Sequence, residues 1–156
     1  MKKEIITLLL AMAPIVELRG SIPYGLIAGL KFQEVLVLSI IGNFIPIIPL
    51  YFFLHKFLNF ISKFHFGKKF SMWLMSSTKK KTKIVEKYQT IGLLFFVGIP
   101  LPGTGAWTGT IASVLLNLSF RNFIIGVCGG ILVASGIVLG VCFGTSSILK
   151  TIFLKF

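Results

Sequence analysis

Residues 4–30 read EIITLLLAMAPIVELRGSIPYGLIAGL, and the reading of this stretch decides the fold. Its flanks are apolar, but Pro14, Gly20, Pro23 and Gly25 interrupt the middle. Proline and glycine there break a helix instead of continuing it. The stretch is too short for two full spans. Two half-helices fit, each about 13 residues and about 20 Å long, which reaches past the centre of a ~30 Å hydrocarbon core. We therefore expect a re-entrant hairpin over residues 4–30, with ELRGSIP at its tip. The opening Lys2-Lys3, the apolar run and Ala11-Met12-Ala13 also resemble a secretory signal. The apolar core before Ala11 is shorter than the ~7–15 residues a signal uses, so the membrane-resident reading is preferred.

Outward from this hairpin the composition agrees. The 156 residues are 55% hydrophobic, with a mean hydropathy of +0.94. Residues 35–54, 88–120 and 122–149 are nearly free of charge, and a spanning helix needs about 20 apolar residues. A single membrane domain over 1–156 is expected, all-α, in two repeats. The first repeat covers 1–54, with the hairpin 4–30 and a span 32–54 that contains Asn43, Pro46 and Pro49. Asn43 would line a polar cavity or bond across a helix interface.

The net charge is +12, from 16 Lys+Arg against 4 acidic residues. Nine of the lysines fall between Lys56 and Lys87, with Glu86 as the one acid there. In a membrane chain that is a positive-inside signal, each lysine near anionic headgroups contributing about 1 kcal/mol. Residues 55–90 are read as a cytoplasmic connector. Within it, Leu54, Phe57, Phe60, Ile61 and Phe64 share a helical face, which suggests an amphipathic helix in the headgroup plane. No nucleic-acid partner is expected, since no binding fold accompanies the charge. His55 and His65 lack further ligands at useful spacing, so no metal and no cofactor is expected. Cys128 and Cys142 lie about 21 Å apart on one helix, too far to pair within the chain.

The second repeat covers 91–156. Its hairpin, 91–118, carries Pro100, Pro102, Gly103 and Gly105 close together. Its span, 122–149, carries Gly126, Gly130, Gly136, Gly140 and Gly144, rows that let helices approach closely. Leu30-Lys31-Phe32 precedes the first span and Leu118-Ser119-Phe120 the second, and, allowing for a small insertion, Gly42 matches Gly130. With 55–90 on one side, the second half is inverted relative to the first. Inverted repeats with discontinuous helices are a transporter signature.

The chemistry-bearing motif is Glu17-Leu18-Arg19-Gly20-Ser21-Ile22-Pro23. An acid and an arginine at mid-hairpin are costly there and mark function by default. They could instead pair with each other, although residues i and i+2 do not face one another on a helix. The second motif, Pro100-Leu101-Pro102-Gly103-Thr104-Gly105-Ala106-Trp107-Thr108-Gly109, carries no charge. Its half-helix beginning near Thr104 would aim free N–H groups at the midplane, a ready anion site. Pro23 is expected in the first turn of its own half-helix. Two helix ends and Arg19 would then surround Glu17, favouring a bound phosphate or carboxylate, with Glu17 carrying a coupling proton. No nucleophile–base pair or second carboxylate supports catalysis, so an enzyme is not expected.

ELRGSIP and PLPGTGAWTG, in this order and chain length, resemble the small multidrug export protein family, which is distantly similar to the DedA or VTT-domain membrane proteins. The resemblance covers nearly the whole chain. It implies two re-entrant hairpins and two main spans in the plasma (inner) membrane of a bacterium-type cell. It also implies a transported amphiphile, since DedA-like relatives are linked to translocating lipid phosphates, notably undecaprenyl phosphate, with proton-motive-force-dependent phenotypes. By position, Glu17, Arg19 and the 100–109 tip match the family motifs. DedA proteins usually carry a further acid and arginine in the second half. This tip has neither, and Arg121 is the nearest candidate. The partners expected are membrane lipids, a lipid-phosphate or other amphiphilic substrate, and a second copy in a homodimer. Export of cationic hydrophobic drugs and a non-transporting scaffold stand as alternatives.

Overall fold

The structure is a computed structural model and describes residues 1–61, 83–101 and 103–153. The described residues hold six helices and no strand: α1 (Lys2–Met12), α2 (Glu17–Ile27), α3 (Phe32–Ile61), α4 (Lys83–Gly98), α5 (Ala106–Leu115) and α6 (Phe120–Phe153). The sequence order is two short helices, a long one, two short ones and a long one. Two helical stretches are long and apolar enough to cross a bilayer, Phe32–Leu58 and Phe120–Gly144.

Pro14 sets the first break. The residue before a proline is driven out of the α region, and Ala13 accordingly sits at φ −71°, ψ 133°. The interruption therefore falls at residues 13–16, earlier than expected. ELRGSIP is not the tip but the opening of α2. Pro23 correspondingly lies inside α2, not in its first turn. The second break follows Gly98, where Pro100 stops α4, and ends at Gly105, whose φ of 143° is open to glycine.

The halves end their hairpins in the same way. Leu30 N–H bonds to Gly25 O at 3.1 Å, and Leu118 N–H to Ser113 O at 2.9 Å. The left-handed residue at each corner is Gly29 (φ 79°) or Asn117 (φ 49°), the two residue types that favour this cap. Gly25 and Ser113, Gly29 and Asn117, Leu30 and Leu118, Phe32 and Phe120, Gly42 and Gly130 all stand at one constant sequence interval. Buried positions recur at that interval too: Leu18 with Ala106, Ile22 with Thr110, Val35 with Phe123. A Cβ on Gly42 would meet Leu8 O at 2.8 Å, and one on Gly130 would meet Leu94 O at 2.9 Å. The interval from Leu8 to Leu94 is slightly shorter than the others, so the small insertion lies in the second tip.

Within the first half, α1, α2 and α3 pack together. Within the second, α4 lies along α6 and α5 against both. The halves join where α3 meets α5 and α6, and α2 meets α6. Tyr51 is the main tie. Its ring stacks on Phe123 at 4.3 Å, and its hydroxyl donates to Leu118 O at 2.9 Å. A buried phenol needs such a partner, and that carbonyl lies at the hairpin corner. Ile5, Leu9, Ile41, Phe53, Leu132 and Val141 point outward, an apolar exterior that suits lipid and not water.

Three further expectations change. The span drawn over 32–54 continues to Ile61, so residues 55–61 extend α3 instead of starting a separate interfacial helix. His55 belongs to that helix, with Nδ1 3.2 Å from Tyr51 O. Phe64, His65 and the rest of 62–82 lie outside the described residues. The connector ends sooner than expected, because α4 starts at Lys83. The glycine row of α6 divides. Gly126 and Gly130 pack against Leu93, Leu94 and Val97 of α4, whereas a Cβ added at Gly136, Gly140 or Gly144 would meet nothing within 4 Å among the described residues.

Candidate functional site

Glu17 is the first residue of α2 and adopts φ 47°. A non-glycine residue in the left-handed region costs about 1–3 kcal/mol and persists only where its surroundings hold it. Here the carboxylate is the anchor. Glu17 is 6% exposed, and its Oε1 accepts the Trp107 N–H at 3.2 Å. The Ala106 N–H also acts on the carboxylate. Both amides belong to the first turn of α5, where helix N–H groups have no internal partner and the dipole favours an anion. Gly105 makes this approach possible, because a Cβ there would overlap the Glu17 carboxylate.

Arg19 reaches the same tip from the other side of α2. Its Nη2 donates to Thr104 O and, at 3.0 Å, to Thr104 Oγ1. Thr104 in turn closes the loop. Its hydroxyl lies 2.7 Å from Ile99 O and 2.8 Å from Leu101 O, and accepts the Leu101 N–H at 3.1 Å. The two charged residues of α2 thus grip the uncharged tip of the second hairpin. Among the described residues Glu17 and Arg19 form no ion pair with each other, which removes the purely local explanation of the motif. The α5 amides expected to face a bound anion instead hold the Glu17 carboxylate.

An open cavity of about 280 Å³ lies beside this junction, lined by Arg19, Pro23 and Pro100 on one side and Ile137, Val138, Val141 and Cys142 on the other. Its wall is apolar except at Arg19. Trp107 Nε1, next to the clasp in sequence, is buried and meets no acceptor among the described residues. Thr108 Oγ1 bonds to Gly105 O at 3.3 Å, inside its own helix turn.

Of the expected site residues, Glu17, Arg19, Thr104, Gly105 and Trp107 meet at one point, and Pro23 and Pro100 border the cavity. Gly20 is crowded by Val16, and a side chain there would displace it. Ser21 Oγ donates to Ser39 Oγ at 2.8 Å. Asn43 is fully buried, and its Nδ2 donates within α3 to Ser39 O at 3.1 Å. Among the described residues its Oδ1 meets no donor, a deficit worth about 1–3 kcal/mol in a dry interior. Gly103 (φ 84°) turns the chain in open space. Pro102 lies outside the described residues. Arg121 is exposed in the first turn of α6, about 24 Å along that helix from Ile137, so it does not join the site. The α6 wall carried no signal of its own in the sequence. The Glu17–Gly105 meeting did carry one, since those positions correspond at the same interval as Gly42 and Gly130.

Comparison with known proteins yields one family. A family model described as "Putative small multi-drug export protein" matches residues 17–138. That match begins at Glu17, just past the first tip, and takes in α2, α3, the second tip and a little over half of α6. No curated protein and no solved structure matches the chain.

Proposed function

The chain belongs to the small multidrug export family and is a membrane protein, and from that premise we propose a proton-coupled secondary transporter or flippase for an anionic amphiphile. The observation that carries the proposal is the clasp itself: a buried carboxylate on the α5 N-terminus, an arginine on Thr104, and an apolar cavity opening at that arginine. In this reading the two short helix pairs are re-entrant hairpins meeting near mid-membrane. The two halves form an inverted repeat, supported by the shared corner bonds and the constant interval. The membrane would be the plasma (inner) membrane of a bacterium-type cell.

Glu17 and the substrate anion compete for the same helix end. While Glu17 is ionised, it occupies the α5 amides and the tip is closed. Once protonated it is a weaker acceptor, and the amides and Arg19 turn to an incoming phosphate or carboxylate, whose chain lies along Ile137, Val138 and Val141. Charge-assisted hydrogen bonds from Arg19 and the helix end favour the anion over a neutral headgroup. A polyprenyl or other lipid phosphate has the required head and tail. None of these steps breaks a covalent bond, so the protein is read as a carrier and not an enzyme.

The rival is export of hydrophobic cations exchanged against a proton at Glu17, which the family description favours and the fixed charge of Arg19 opposes. A scaffold without transport is the third reading. Pure liposomes containing the protein, a labelled polyprenyl phosphate and a cationic dye separate the three. Movement of the phosphate that responds to a pH gradient is expected. Movement of the dye alone would select drug export, and movement of neither would leave the scaffold.

A further inference from the structure

Asn43 is fully buried, and its amide orientation is dictated by the Ser39 carbonyl, which can only be met by Nδ2. The carboxamide oxygen then faces elsewhere and finds no donor among the described residues. One position earlier, the buried Gly42 carbonyl is also left without its helical donor, because Pro46 has no N–H. One turn on the buried face of α3 thus holds an unmet side-chain acceptor and a carbonyl that lacks its usual helical donor. They stand at the end of a polar row. Ser21 lies one turn beyond Glu17 on α2, and its hydroxyl bonds to that of Ser39 at 2.8 Å. Ser39 lies one turn before Asn43 on α3. Ser21, Ser39 and Asn43 are all 0% exposed. At the repeat interval the second half has Gly105, Gly109, Val127 and Ile131 in place of Glu17, Ser21, Ser39 and Asn43, so the row is not a packing requirement of the architecture. Apolar voids stay dry, but a polar site with unmet acceptors takes up water, which brings two donors.

We propose that water is bound at Asn43 Oδ1 and the Gly42 carbonyl, and that the row Glu17, Ser21, Ser39, Asn43 is the route by which protons reach and leave Glu17. This rests on the reading of Glu17 as the proton carrier. Each water and hydroxyl accepts one proton and releases another, so every member of the row except Glu17 ends unchanged. The groups acting on Glu17 are Arg19 from its own helix and the Ala106 and Trp107 amides from α5. Glu4 on α1 pairs with the N-terminus, and Glu34 on α3 accepts from Lys31 N–H at the helix start. Arg121 is exposed at the start of α6. No described carboxylate competes with Glu17 for the proton.

Infrared spectroscopy of the full chain in liposomes tests the route without a substrate. The carbonyl band of protonated Glu17 is identified by its loss in Glu17→Gln, and its hydrogen–deuterium exchange is timed after transfer to D2O. Asn43→Leu, which removes the unmet acceptor and fills the space, should slow that exchange at least about tenfold, while Asn43→Ser, which leaves room for water, stays near the wild-type rate. Ser39→Ala should slow exchange as well, which keeps the test open if Asn43→Leu fails to fold. Wild-type exchange in folded Asn43→Leu, or in Ser39→Ala where Asn43→Leu does not fold, overturns the route while leaving Glu17 as carrier. A Glu17 band absent at every pH removes the carrier itself, and the route with it. Thermal stabilisation of the wild type by sodium over potassium chloride, lost in Asn43→Leu, would place a cation there and overturn the proposal.

Discussion

The two halves fold alike and differ in what they present. The first offers side chains: Glu17, Arg19, Ser21, Ser39 and Asn43. The second offers backbone: the Thr104 carbonyl, the Ala106 and Trp107 amides, and the gap left by Gly105. A charged group in a membrane interior is expensive by itself. A helix N-terminus in the same place has unmet donors. Each half carries what the other lacks, and the contrast teaches that repeated architecture does not require repeated chemistry. A matching acid in the second half would set two carboxylates against each other, whereas a glycine there makes room for one.

The comparison breaks most visibly at the charges. Glu17→Gln should abolish the response of transport to a pH gradient while leaving passive exchange. Arg19→Ala should weaken anion binding by about ten- to a hundredfold, the value of a charge-assisted hydrogen bond. Both are read as flux and affinity in liposomes. If the two residues served folding alone, each single variant would lose folded protein and transport together.

A smaller effect tests the backbone side. Gly105→Ala adds a Cβ where the Glu17 carboxylate lies and holds alanine at φ 143°. It should destabilise the protein by about 1–3 kcal/mol, measured by thermal unfolding in detergent. Shortening Glu17 to alanine in the same protein should return part of that loss, a coupling of about 0.5–3 kcal/mol. Strict additivity would show that the two halves do not meet there.

The smallest effect concerns α6. Gly126→Leu should cost stability, because Leu93 and the Thr90 carbonyl already occupy the space. Gly140→Leu should stay within about 0.5 kcal/mol of the wild type, as for other open positions. Altered cross-linking between copies in Gly140→Leu would assign that face to a second protomer.

Much of this was legible because prolines, glycines and buried charges speak locally. Pro14, Pro100 and Gly105 announce the breaks, and Glu17 with Arg19 announces the site. The first tip lies earlier than a local reading places it, because ELRGSIP contains its own glycine and proline, which outweigh the single Ala13-Pro14 step. Pro23 proved compatible with the interior of α2, which local rules disfavour and tertiary packing accommodates. The run from His55 to Ile61 reads equally well as a new amphipathic helix or as the end of a long one, since both share a period. Asn43 gives no hint in sequence that it bonds inside its own helix. The face of α6 that walls the cavity is set by how Gly126 and Gly130 seat that helix on α4, a contact no local pattern specifies.

The direction of the ties between the halves has a consequence in time. Glu17, Arg19 and Tyr51 are side chains of the first half, and all three take hold of backbone in the second. A ribosome makes the first half first. At about 5–20 residues per second, several seconds pass before the partner backbone emerges. Through that interval a newly made carboxylate and guanidinium wait together near the membrane without their final partners. The uncharged second tip, arriving later, supplies the carboxylate with amides and the guanidinium with the Thr104 carbonyl and hydroxyl.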